Sequence, residues 1–326
     1  MQRTPRTRTL VNPQPNGLGA PNPTTLAATT ARRRALFALG GVLVPGAHVG
    51  VPRAPAPSAV AAAWSAPRPD ALLEAAITAV PRPSGSVGVA VHHLATGQGA
   101  AIDADAIAPP ASLFKLGIMV AVMRDLEAGR IAAGMSLDVL EGDWAPGAGI
   151  LQDHIGQAVT VAEALRLMIG ISDNVAAFVL LRAIGSRRLN DCTASLGMAR
   201  TRFYVDDRPD ETSAGDVAAI LARIATGEAA GPSSTRAMLD LMSQRQPAAW
   251  IRQALGDRVP VAHKSGQLPG VRNDAAIVPT PSGPYVMAVL TYGLSDDAAG
   301  ERYVIDMARA IDHHRSEEHT SELQSH

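Results

Sequence analysis

Ser112 and Lys115 stand three residues apart in "ASLFKL" (111–116), a spacing that puts both side chains on one face of a helix, one turn apart. A hydroxyl is a weak nucleophile until a base takes its proton, and a solvated lysine, with a pKa of about 10.4, is a cation at neutral pH. Lys115 can act as that base only if burial or a neighbouring cation drives its proton off. A helix starting near Ser112 would add backbone N–H groups and a positive dipole end, which favour negative charge developing beside the serine oxygen. The plainer reading is a capping serine followed by a lysine with its head in water. Composition weighs against it: of 29 Lys plus Arg, only Lys115 and Lys264 are lysine. Where every other basic position is arginine, a retained lysine points to proton transfer, which a guanidinium does not perform.

Lys264 lies in "HKSGQ", at the end of a predicted strand. A compact ammonium beside the Ser265 hydroxyl suits a carboxylate, Gly266 lets a ligand approach the backbone, and the strand edge offers an N–H to an oxyanion. A third segment, "ISDNV" (171–175), opens a helix with Ser172 or Asp173 as its cap.

Around these residues, "DALLEAAITAV" (70–80) has helical spacing, and 86–102 alternates Val87, Val89 and Val91 before turning at "ATGQ", as a β-hairpin does. From Ser112 to about Ile251 the apolar period is mostly helical. Three short β-branched runs, "VPVAHKSG", "NDAAIVPT" and "YVMAVLTYG", and a last amphipathic helix follow. The two outer thirds can therefore complete one antiparallel sheet. The helical block is then an insertion, and a cleft between the two parts is the expected ligand site.

Ser-x-x-Lys, Ser-Asp-Asn and Lys-Ser-Gly, in this order from 112 to 172 to 264, resemble the three motifs of the penicillin-recognising serine enzymes, specifically the class A β-lactamases. The resemblance runs from about residue 85 to 312. It implies an α/β (α+β) fold of the β-lactamase/transpeptidase type: an antiparallel sheet flanked by helices, with an inserted all-helical subdomain. By the same resemblance Ser112 is the acylated nucleophile, Lys115 its base partner, and Ser172 passes a proton to the leaving nitrogen. Asn174 contacts the substrate amide, and Lys264, Ser265 and Arg272 hold the substrate carboxylate beside Gly266. The backbone N–H groups of Ser112 and Gln267 form the oxyanion hole. "HKSGQLPGVRND" is one residue shorter between lysine and arginine than the family pattern.

One departure concerns deacylation. Class A enzymes carry a Glu-x-x-Leu-Asn loop after the Ser-Asp-Asn helix, whose glutamate activates the deacylating water. The corresponding segment is shortened to "LGMARTRFYVDDRPDE", with no glutamate in that context. Leu189–Asn190 lies too early to fill the role. Asp206, Asp207, Asp210 and Glu211 are the candidate substitutes, and as plain residues they read as a solvated loop. The expectation is a serine hydrolase acylated by β-lactams, with slow deacylation. The alternatives are a D,D-peptidase-like or esterase-like hydrolase of cell-wall peptides, or a penicillin-binding receptor.

A formal charge of −1 and 3% aromatics leave neither a basic field nor stacking platforms for nucleic acid. A single cysteine, Cys192, excludes an intrachain disulfide and a cysteine zinc site. No metal or cofactor is expected, since His92, His93, His154 and His263 lack ligand spacing. The expected partner is a β-lactam or cell-wall peptide bound by a monomer. Residues 1–63 read as an extension plus export signal, "RRRALFALGGVLV", by a general secretory or twin-arginine route. The apolar run is too short for a stable membrane span. The catalytic domain is expected over 64–314, its sheet part about 68–108 and 256–314 and its helical part about 109–255. Residues 315–326 resemble an in-frame translated sequencing adapter and are assigned no fold.

Overall fold

The computed structural model describes residues 66–204, 208–257 and 259–324, with side chains as far as residue 315. The expected export signal lies outside the described residues. Strand β1 (Arg68–Pro69) leads into helix α1 (Ala71–Thr78), whose first turn is capped by Asp70 accepting from Leu73 N at 3.0 Å. The hairpin follows as β2 (Ser86–His93) and β3 (Gln98–Ile102). The helical block contains α2 (Phe114–Glu127), α3 (Val161–Gly170), α4 (Asn174–Ile184), α5 (Ser186–Ser195), α6 (Ala214–Ala225), α7 (Pro232–Ser243) and α8 (Trp250–Leu255). Within it lies a two-stranded ribbon, β4 (Ser136–Asp138) with β5 (Ala158–Thr160). Strands β6 (Ala262–Leu268), β7 (Val271–Val278) and β8 (Tyr285–Tyr292) then return to the main sheet, and α9 (Asp297–Gln324) closes the chain.

The main sheet runs β1-β3-β2-β8-β7-β6, so the first hairpin and the last three strands pair through β2 and β8, with Ser86 opposite Tyr292 and His93 opposite Tyr285. Both faces of the sheet are covered. In β8, Val286, Ala288 and Leu290 face the helical block, while Tyr285, Met287 and Val289 face α1 and α9. Double coverage explains why this strand reads as an unbroken apolar run rather than a polar/apolar alternation.

Helix α2 is the axis of the helical block. Residues Lys115 to Met123 are all buried, and a helix apolar on every side belongs at a core centre. Lys115 is the exception in that run, and it is held in the first turn.

Four expectations need correction. The inserted block is not all-helical, because it holds the β4–β5 ribbon; strands of three residues are too short for alternation to register. The sheet is mixed rather than wholly antiparallel, because β1 pairs parallel with β3 over two residues. Ser112 sits in a 3₁₀ turn, Ala111–Leu113, just ahead of α2 rather than inside it. The stretch from 315, assigned no fold, is helical as far as Gln324 as part of α9, and Arg315 lies buried 3.4 Å from the Asp70 carboxylate.

Candidate active site

The turn bearing Ser112 is held to the sheet from below. Asn273, buried in β7, donates from Nδ2 to Pro109 O at 2.9 Å while its Oδ1 accepts from Thr291 N at 3.1 Å. The chain then passes through Ala111 at φ +47°, a left-handed conformation that costs a non-glycine residue about 1–2 kcal/mol. Edge strand β6 presses against the same turn. A Cβ placed on Gly266 would lie 2.9 Å from Ser112 N and 3.0 Å from Pro110 O, so only glycine lets the two backbones meet this closely.

The Ser-Asp-Asn segment approaches from the other side. Asp173, fully buried, caps α4 by accepting from Ala176 N at 2.9 Å. Its second oxygen accepts from Ile150 N at 2.7 Å and Leu151 N at 3.0 Å, which ties the 146–151 loop to this turn. Gly149, at φ +127°, leaves the room that carboxylate occupies. The turn holds Ser172 at φ +60°, a second strained residue beside the cleft. Asn174 Nδ2 donates to Pro146 O at 2.6 Å, which fixes the amide orientation and turns Oδ1 inward.

Lys115 stands where these segments meet, fully buried, while Ser112, Ser172 and Asn174 are half-buried above it. Its Nζ lies 2.5 Å from Ser172 O, 2.7 Å from Asn174 Oδ1, 3.1 Å from Ser172 Oγ and 3.2 Å from Ser112 Oγ. Two of these partners, a carbonyl and an amide oxygen, only accept. They accept from Nζ whether it is amine or ammonium, and the Ser112 and Ser172 hydroxyls complete its surroundings within hydrogen-bond reach. Burial, the nearby Lys264 cation and, in opposition, the Asp173 carboxylate set its proton affinity, and the balance lies well below the ordinary lysine range.

Lys264 is also fully buried. Its Nζ donates to Ser172 Oγ at 3.1 Å, Ser265 O at 2.8 Å and Gln246 Oε1 at 3.3 Å. Burial lowers its pKa to about 7, against the opposing pull of the Asp274 carboxylate. Asp274 is itself buried, accepting from Ile251 N at 3.0 Å and lying 3.2 Å from His263 Nδ1. Gln246 links the two strand residues, because its amide also donates to His263 O.

The structure thus brings Ser112, Lys115, Ser172, Asn174 and Lys264 together, with Gly266 beside Ser112. Ser265 follows Lys264, its Oγ donating to Ala248 O at 2.8 Å, and Gln267 is exposed on the edge strand. Arg272 does not join them. Its guanidinium is engaged by Glu301 at 2.9 Å, Asp297 at 2.9 Å and the carbonyls of Leu268 and Val271. The register pairs it with Gln267, two residues along β7 from the buried Asp274 and on the face covered by α9. Sequence reasoning missed Gln246, Asn273 and Asp274. For the last two the signal was a polar pair inside an apolar strand, "VRNDAAIV", where unpaired polar groups would be costly.

The shortened loop is closed by its own contacts. Glu211 accepts from Tyr204 OH at 2.9 Å, Asp210 accepts from Tyr204 N at 3.0 Å, and Asn190 holds Phe203 through both amide ends at 2.8 and 3.0 Å. Asp206 and Asp207 lie outside the described residues. Among the described residues no carboxylate hydrogen-bonds Ser112 or Lys115, and no cluster of His, Cys, Asp and Glu suited to a metal occurs.

The family model described as "Beta-lactamase enzyme family" matches residues 72–314. A beta-lactamase of Streptomyces cellulosae is 31% identical over 226 residues, covering 63% of this chain and 72% of the relative. Among solved structures, a single-site variant of PBP-A, in an acyl-enzyme complex with penicillin G, superimposes with a TM-score of 0.72 at 27% identity. That alignment covers 78% of this chain and 99% of the other. An ancestral class A beta-lactamase gives a TM-score of 0.68 at 26% identity, over 74% and 99% of the two chains.

Proposed function

This chain belongs to the beta-lactamase enzyme family, and from that premise we propose that Ser112 is the nucleophile β-lactams acylate, with Lys115 as its base. It is a serine beta-lactamase-like hydrolase. The observation that carries the assignment is the position of Lys115, fully buried with its Nζ 3.2 Å from Ser112 Oγ. In the proposed step the Ser112 oxygen attacks the β-lactam carbonyl carbon and its proton passes to Lys115 Nζ. The carbonyl oxygen becomes an oxyanion held by the backbone N–H groups of Ser112 and Gln267. When the C–N bond breaks, the ring nitrogen takes the Ser172 hydroxyl proton, which Lys115 replaces. Lys264, as ammonium, with the Ser265 hydroxyl receives the substrate carboxylate, and Asn174 orients the side-chain amide. Arg272, paired with Asp297 and Glu301, is left to brace β7 against α9.

Release of the acyl group is the weak step in this reading. The ester on Ser112 awaits a water with no carboxylate base beside it among the described residues, and the carboxylates of Asp210 and Glu211 are turned to Tyr204. The same observation favours a second reading, a D,D-peptidase-like acyl transferase on cell-wall peptides that β-lactams trap. Either substrate lies outside the cytoplasm, so we place the protein as exported, with 64–314 as one catalytic domain. Turnover of a chromogenic cephalosporin, run beside gel labelling with a fluorescent penicillin, tests the assignment. Wild-type protein should label and Ser112→Ala should not, while keeping its thermal transition; labelling that survives in Ser112→Ala removes Ser112 from the mechanism.

A further inference from the structure

At the far end of α2 from Ser112, roughly 15 Å along the helix from Lys115, a cavity of about 570 Å³ opens between α2 and α5. Four arginines line it, Arg124, Arg130, Arg187 and Arg188, against two carboxylates, Asp125 and Asp191. The buried Asp125 serves as an anchor rather than a neutraliser of the whole set. Arg130 grips one of its oxygens at 2.6 and 2.9 Å, and Arg188 reaches both at 2.9 and 3.2 Å, so two guanidiniums share one negative charge. Arg124 spends its donors on neutral acceptors, Ala229 O at 2.6 Å, Ser195 Oγ at 2.7 Å and Cys192 Sγ at 3.7 Å, leaving its charge uncompensated. Arg187 is exposed and forms no hydrogen bond or ion pair with any described residue.

We propose that this cavity binds a small organic anion carrying at least two negative charges. An excess of two positive charges, held around one concave space by rotamers fixed on Asp125 and Ala229, is a preorganised site for planar or tetrahedral oxyanions. Guanidinium forks grip both carboxylates and phosphates bidentately. Arg187 is the free arm that closes on the ligand, while Arg124, Arg130 and Arg188 form the fixed wall. The site lies in the helical block at the opposite end of α2 from the nucleophile, so occupancy leaves Ser112 accessible.

Titration calorimetry with pyrophosphate and with citrate, each at matched ionic strength against sodium chloride, tests the proposal. Wild-type protein should bind at least one probe saturably at a single site, and the tighter of the two identifies phosphate or carboxylate as the ligand's anionic group. Arg187→Glu removes an unpartnered surface residue and should keep the thermal transition and penicillin labelling while weakening binding at least about tenfold, as loss of a charged hydrogen bond does. No saturable binding of either probe, equal affinity in Arg187→Glu, or displacement of the anion by penicillin would each overturn it.

Discussion

Lys115 and Lys264 both reach the same hydroxyl: each Nζ lies 3.1 Å from Ser172 Oγ. Two ammoniums converging on one oxygen in a buried site repel, so one of the pair gives up its proton first. Lys115, held below the ordinary lysine range by burial and by the Lys264 charge, is that one. In the proposed mechanism the chain's only two lysines are a base and a cation sharing a relay hydroxyl, a pairing that two arginines would not supply.

The two substitutions to arginine should therefore differ. Lys115→Arg keeps charge and donors but removes the proton acceptor, so acylation should fall at least ~10²-fold. Lys264→Arg keeps a cation for the carboxylate and should lose less. Stopped-flow acylation by a reporter penicillin measures both, and equal losses would erase the distinction between base and anchor.

Lys264, with its pKa lowered to about 7, should make carboxylate binding pH-dependent. Below that value the ammonium holds the substrate carboxylate, and above it the charge is lost, so KM for a penicillin should rise as pH climbs through about 7. The Asp274 carboxylate favours the ammonium, and Asp274→Asn should move the rise to lower pH. A KM that stays flat from pH 6 to 9, or that shifts upward in the variant, would contradict this account of Lys264.

Gly266→Ala puts a methyl group 2.9 Å from Ser112 N and 3.0 Å from Pro110 O, both backbone atoms that cannot rotate away. The nucleophile turn and β6 must part, and a misplacement near 1 Å costs on the order of 10²-fold in rate. Acylation kinetics read beside the thermal transition should show the rate falling far more than the stability. Near-wild-type acylation would mean that the approach of β6 to Ser112 is not what positions the oxyanion.

Much of this site was legible because its chemistry is concentrated in short contiguous motifs. Ser112 with Lys115 spans a 3₁₀ turn and the first turn of α2, and Ser172 with Asn174 spans the capping turn of α4, so both pairs are local, and the lysine scarcity gave an independent reason to single out Lys264. What stayed hidden depends on pairing across the chain. Asn273 supports Pro109 from 164 residues away, and Gln246 touches Lys264 from a segment between helices, so neither has a local signature. Arg272 failed for the same reason in reverse: its motif position was readable, but whether its guanidinium faces the substrate depends on Asp297 and Glu301, which only the packing of α9 against β7 brings near. The Ala111–Leu113 turn was read as helix because one 3₁₀ turn and the first turn of an α-helix place residues i and i+3 almost alike.

The central claim is that the machinery to acylate Ser112 is complete and the machinery to release it is weak. Intact-mass spectrometry after a short pulse of penicillin G tests it most directly. The account predicts one adduct per chain, absent in Ser112→Ala, that persists because hydrolysis without its general base slows by roughly 10²–10⁴-fold. Single Asn or Gln replacements at Asp206, Asp207, Asp210 and Glu211 should leave its lifetime nearly unchanged. Rapid turnover with no detectable adduct, abolished by one of those four replacements, would contradict it and place a working deacylation base in the shortened loop.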